Sequence, residues 1–165
     1  MSPGDESTAA PTPFDDVDRR LLTLLHRDPQ IGVLGASRAL GIARGTVQAR
    51  LNKLTERGVL ASWAPQLDPA AMGYPVTAFC TLEIRQDFRR QSLTEHLQRI
   101  PQVLEAHTTT GEGDVMVTVV AADTTDLQRV IEDLLADERV LRCATVIGLT
   151  ELISRRVLPL VQATD

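Results

Sequence analysis

The segment Gly41–Leu60, "GIARGTVQARLNKLTERGVL", decides how this chain is read. It carries Arg44, Arg50, Lys53 and Arg57 against a single acid, Glu56, in a chain whose formal net charge is −5. At 100° per residue, a helix from about residue 44 to 57 puts Val47, Leu51 and Leu54 on one face. Gly45, Ala49, Asn52 and Glu56 fall on the opposite face, flanked by Gln48 and Lys53. Gly58 suits the left-handed position that closes such a helix. The outward face has chemistry suited to DNA. Gly45 and Ala49 are small enough for close approach, Gln48 and Asn52 carry amides that pair with adenine, and Ala49 can meet a thymine methyl. Arg44, Lys53 and Arg57 can neutralise phosphates. Arg50 lies near the buried stripe, where an intramolecular ion pair and a phosphate contact are both open to it.

Two helices precede this one. In "FDDVDRRLLTLLHRD", residues 14–28, Val17, Leu21, Leu24 and Leu25 share a face, Asp15 can cap the start, and Asp16 and Asp18 suit the positive end of the dipole. "VLGASRALG", residues 33–41, is a weaker helix because Gly35 costs it about 1 kcal/mol relative to alanine. Three short helices with the turn "GIAR" before the basic one make a helix-turn-helix array.

The remainder differs in charge and in period. Residues 14–65 hold eight basic and five acidic side chains, whereas residues 66–165 hold nine and fifteen. From Pro75 onward the strand-like segments "VTAFCTLEI", "VLEAHTTT", "DVMVTVVAAD" and "VLRCATVIGLTEL" alternate with two helical ones. In "SLTEHLQRI" the apolar face is Leu93, Leu97 and Ile100. In "TDLQRVIEDLLAD" it is Leu127, Ile131, Leu134 and Leu135, with Thr125 and Gln128 at capping-box spacing. The order βαββαβ predicts a ferredoxin-like antiparallel sheet with both helices on one face, and the bare face calls for a second copy of the chain. The fold class is therefore α+β. We expect a disordered tail over 1–13, a winged-helix-like helix-turn-helix domain over 14–65, a linker over 66–74 and a ferredoxin-like domain over 75–160.

"DDVDRRLLTLL", "ALGIARGTVQARLNKLTERGVL" and "LDPAAMGY" together resemble the N-terminal half of the Lrp/AsnC family of prokaryotic transcription regulators, and the resemblance extends over nearly everything after residue 13. Where that family usually opens its recognition helix with Ser-Pro, this chain has Ala43 and Arg44, so the side-chain cap is lost. A usual Glu-Leu-Ala becomes Gly35-Ala36-Ser37, and Trp63 follows the helix-turn-helix in place of a glycine-tyrosine pair. The candidate DNA-binding residues are Arg44, Gly45, Thr46, Gln48, Ala49, Asn52, Lys53 and Arg57. "TTTGEGDVMVTVVAAD", residues 108–123, resembles the family's Thr-Gly-x-x-Asp segment. The resemblance implies an effector site between dimers, commonly for an amino acid, at Thr110, Gly111, Glu112, Gly113 and Asp114. Glycine-rich backbone can hold a carboxylate and Asp114 can accept from an ammonium. The same residues equally suit a plain hairpin turn whose glycines supply positive φ.

No nucleophile elbow, Walker loop or HExxH is present, and His26, His96 and His107 lack ligand spacing, so neither enzyme chemistry, metal nor cofactor is expected. Cys80 and Cys143 form no CxxC pair and read as thiols of a cytoplasmic protein. The apolar runs fall short of the ~18 residues of a membrane span, and the first residues lack a signal peptide's pattern. The expected partners are double-stranded DNA, an effector and further copies of the chain, as a dimer assembling to a tetramer or octamer. Siroheme decarboxylases, which resemble this family in architecture, give an enzymatic alternative. A metabolite sensor without DNA binding gives another.

Overall fold

A computed structural model describes residues 14–85 and 90–163, and the expected tail over 1–13 lies outside the described residues. The elements run α1 (Asp16–Arg27), α2 (Gly32–Leu40), α3 (Arg44–Glu56), β1 (Val76–Ile84), α4 (Arg90–Gln98), β2 (Val103–Thr108), β3 (Val115–Ala121), α5 (Thr124–Leu135), β4 (Val140–Gly148) and α6 (Leu158–Gln162). They form two compact units. A helical unit runs to Ala64 and takes the chain back from Ile153, and a sheet unit spans Pro65–Leu152.

In the helical unit Leu21, Val47 and Leu54 are fully buried, and Leu22, Leu25, Ala36 and Leu51 complete the core with Val161. The expected stripe of α1 is partly revised: Val17 and Leu24 are half-buried, whereas Leu22 is buried because α6 docks along α1. The segment from Ile153 thus packs with the helices. No strand follows α3 before Val76. The winged-helix likeness is confined to the three helices, and Gly58 at φ +69° turns the chain so that the Val59 and Leu60 N–H groups donate to Leu54 O. Asp15 caps α1 by accepting from Asp18 N at 2.9 Å, as its position predicts. Gly35 has a packing reason, since an added Cβ there would lie 2.7 Å from Ile31 Cγ1.

The sheet unit is a four-stranded antiparallel sheet in the order β2-β3-β1-β4, the ferredoxin-like arrangement. Alternation along the strands sends Ala78, Cys80, Leu82, Val115, Val117 and Val119 to one face. There they pack against Leu93, Leu97 and Ile100 from the α4 region and Leu127, Val130 and Leu134 from α5. Leu135 is 41% exposed and Val130 takes its expected place, because a 3.6-residue period carries Leu135 to the edge of the stripe. The Thr125–Gln128 capping box is likewise replaced: Asp123 is the cap and accepts from Asp126 N at 2.8 Å. On the opposite sheet face Phe79, Met116 and Val146 are 43%, 41% and 66% exposed. Cys80 and Cys143 are both free thiols, each 3.5 Å from the Thr145 hydroxyl. The hydrogen bond with Cys143 and burial push the Cys80 thiol well above its ordinary range, and the same hydrogen bond brings Cys143 down to about 6.

Candidate functional site

α3 starts without a side-chain cap at Ala43 and has no acid in its first turn. Arg44, Gly45, Thr46, Gln48, Ala49, Asn52 and Lys53 are all exposed, while Val47, Leu51 and Leu54 are buried, so the helix lies in the expected rotation. Two features of this face stand out. A Cβ built at Gly45 meets nothing within 4 Å, and no positive φ requires glycine there. Gln48 Nε2 donates to Asn52 Oδ1 at 2.9 Å, so the two amides pair with each other on the surface.

The flanking arginines are used differently. Arg50 pairs with Asp15 and, at 3.1 Å, with Asp18, whose side chain is 5% exposed, and so ties α3 to the start of α1. This settles the alternative left open for Arg50 in favour of the ion pair. The Asp15 carboxyl is held below the usual range, first by the Asp18 N–H and also by Arg50. The Arg57 guanidinium lies over the Phe14 ring, 5.4 Å from its centroid, so the fold holds this candidate phosphate contact against the residue before the cap of α1. Sequence spacing alone gave no signal for either partner, because Arg50 and Arg57 meet residues distant in the chain.

In the sheet unit, Thr110–Asp114 form the turn from β2 into β3. Gly111 and Gly113 have φ +110° and +108°, a region that L side chains rarely adopt. A Cβ at Gly113 would run into Thr81 Cγ2, whereas one at Gly111 meets nothing within 4 Å. Asp114 is tied down three ways. Its N–H donates to Leu82 O at 2.9 Å, its carbonyl accepts from Thr109 N at 2.9 Å, and its Oδ2 accepts from Ile84 N at 2.8 Å. The last bond reaches β1 where the β1–β4 register shifts, between Glu83 and Ile84. Ile84 N faces β3 beyond the Leu82–Val115 pair that ends the β1–β3 ladder, and the carboxylate takes up this donor. Thr110 and Glu112 are exposed. Among the described residues no group of three or more His, Cys, Asp or Glu side chains could hold a metal ion. No described helix is long and apolar enough to cross a membrane.

A helix-turn-helix array and a ferredoxin-like unit in one chain fit a DNA-binding transcription regulator with a separate ligand-binding domain. Residues 14–55 match the AsnC-type helix-turn-helix domain and residues 77–158 the Lrp/AsnC ligand binding domain. The chain belongs to the Lrp/AsnC family. It is 33% identical over 143 residues to the HTH-type transcriptional regulator AldR of Mycolicibacterium smegmatis, covering 85% of this chain and 84% of that one. Its fold matches that of AsnC from E. coli with a TM-score of 0.80 at 23% identity, over 90% of this chain and all of the other. It also matches the feast or famine regulatory protein of M. tuberculosis complexed with L-methionine, with a TM-score of 0.76 at 24% identity, over 87% and 97% of the two chains.

Proposed function

We propose that the protein reads duplex DNA through the outward face of α3 and that an amino acid held at the Thr110–Asp114 turn modulates this binding. Arg44 and Lys53 contact phosphate; Gly45, Thr46, Gln48, Ala49 and Asn52 approach the bases. The observation that carries the reading is Gly45, whose lack of a side chain serves nothing inside the molecule and leaves the helix open to close approach. The effector part is supported by the positive-φ backbone at Gly111 and Gly113 and by the exposed Glu112 carboxylate. The L-methionine in the M. tuberculosis relative suggests the ligand class. Asp114 can serve an ammonium only through the oxygen that Ile84 N does not occupy. A second copy covering Phe79, Met116 and Val146 makes the dimer that two half-sites require, and such dimers assemble further to tetramers or octamers. The protein acts in the cytoplasm, as a regulator and not as an enzyme.

A mobility-shift assay on the DNA upstream of the protein's own gene, with and without a panel of amino acids, tests the reading. Retarded duplex whose mobility or affinity responds to one amino acid is the expected result. No retardation at low salt would remove the DNA-binding role. A purified protein showing a Soret band would point to the tetrapyrrole enzyme instead.

A further inference from the structure

Gln48 and Asn52 are one helical turn apart on α3, both exposed, and joined by the hydrogen bond from Gln48 Nε2 to Asn52 Oδ1. Amide pairs at this spacing form readily on a helix surface. The bond determines what the pair presents to a partner. Gln48 Oε1 remains as an acceptor at one tip and Asn52 Nδ2 as a donor at the other, while Nε2 keeps one further proton and Oδ1 one further lone pair beside the shared bond. If both amides turn by 180°, one tip still donates and the other still accepts.

The major-groove edge of adenine offers an acceptor, N7, beside a donor, the N6 amino group. Guanine offers two acceptors, N7 and O6, and thymine and cytosine offer one polar group each. Among single bases, only adenine matches an adjoining acceptor and donor. We infer that Gln48 and Asn52 act as one reader of a single A·T pair, with Gln48 Oε1 accepting from adenine N6 and Asn52 Nδ2 donating to N7. Opposite guanine, Oε1 would face O6 with no proton between them. Gly45 and Ala49 flank the pair on the outward face and carry nothing that would hold the helix away from the groove, since even a Cβ added at Gly45 has open space. The internal bond also orders two flexible side chains before DNA arrives, which lowers the entropy lost on binding. This inference rests on the DNA-binding reading above and assigns to it one base pair and the two residues that select it.

The test uses the full chain. Selection from a randomised duplex pool supplies a preferred site, and each A·T pair in its half-site is then exchanged for G·C, or its adenine for 7-deazaadenine or for purine, which lack N7 and the N6 amino group respectively. Binding is measured for the wild type, Gln48→Ala, Asn52→Ala and the double variant. Thermal melting should be unchanged in all of them, because neither side chain is buried. At one A·T pair, exchange to G·C should weaken wild-type binding by about 5- to 150-fold, and both base analogues should reproduce part of the loss. Each single variant should lose the preference at that same pair, and the double variant should discriminate no worse than either single one. Preferences lost at two different base pairs, or losses that multiply in the double variant, would overturn the inference. So would tight, selective binding that neither substitution alters, and that result would leave the DNA-binding reading standing. Failure of every variant and of the wild type to bind duplex would overturn both.

Discussion

The outward face of α3 and the Thr110–Asp114 turn carry the same kind of sequence signal, small residues beside polar ones, yet the fold treats them in opposite ways. In the turn the distinctive residues are consumed internally. Gly113 leaves room for Thr81, and Asp114 satisfies Ile84 N past the end of the β1–β3 ladder. On the helix, Gly45 makes room for nothing among the described residues, and Gln48 and Asn52 bond to each other on the surface. A residue type that costs stability without serving the fold is better evidence of an external partner than one the fold itself requires. On that ground the outward face of α3 points to an external partner more directly than the turn does.

Breaking the turn should give the largest effect. Gly113→Ala combines a strained φ with a clash against Thr81 and should destabilise the sheet unit by about 3 kcal/mol or more, as read by denaturant unfolding. Gly111→Ala, with open space around it, should lose only about 1 kcal/mol, the cost of φ alone. Equal losses at the two glycines would remove the packing role assigned to Gly113.

Asp114→Ala should follow, at about 1–3 kcal/mol, because Ile84 N loses a charged acceptor. Its melting temperature must therefore be measured beside any change in effector response. Exposed Glu112 is the cleaner probe of the ligand. Glu112→Gln should keep the fold and weaken amino-acid binding by calorimetry, and unchanged affinity would exclude Glu112 from the site.

In the helical unit Arg50→Ala leaves the buried Asp18 carboxylate without its cation. The loss should be about 1 kcal/mol, reduced from a fully buried pair because the Arg50 side chain is 30% exposed. The pH dependence has a definite sign. Asp15 has its carboxyl lowered in the folded state, so its contribution is complete above the ordinary aspartate pKa of about 4. That contribution fades as pH falls through the lower folded value. Acid titration of unfolding free energy should show the decline only below pH ~4, and more weakly in Arg50→Ala.

Lys53→Ala should leave stability within about 0.5 kcal/mol and reduce the salt slope of duplex binding by about 1 for each recognition helix engaged. An unchanged slope would take Lys53 off the phosphate backbone.

How much of this was legible depends on the range of the interactions. Helix periodicity placed Val47, Leu51 and Leu54 inward, and strand alternation with element order gave the ferredoxin-like sheet, because both patterns are local. The docking of α6 on α1 escaped, since a five-residue helix with little polar patterning carries no periodic signature. Arg50 with Asp15 and Asp18, Arg57 with Phe14, and Asp114 with Ile84 escaped for another reason: their partners are fixed by tertiary approach. Asp123 and Thr125 are both good caps for α5, and the end of β3, two residues before Asp123, decides between them. Gln48 and Asn52 were recognisable as DNA-reading types from sequence, but their bond to each other follows only from the side-chain positions.

The affinity of Gly45→Ala for duplex DNA, taken on a sample whose melting is recorded, bears most directly on the claim that this face is shaped for a partner outside the chain. Alanine should stabilise the helix by about 0.5 kcal/mol, since its methyl group enters open space. The same methyl should obstruct close approach to the bases and weaken duplex binding by about tenfold, a cost of roughly 1.4 kcal/mol typical of one misplaced methyl group in a packed contact. A more stable protein that binds DNA less well is the predicted result. A more stable protein that binds DNA as tightly as the wild type would contradict it.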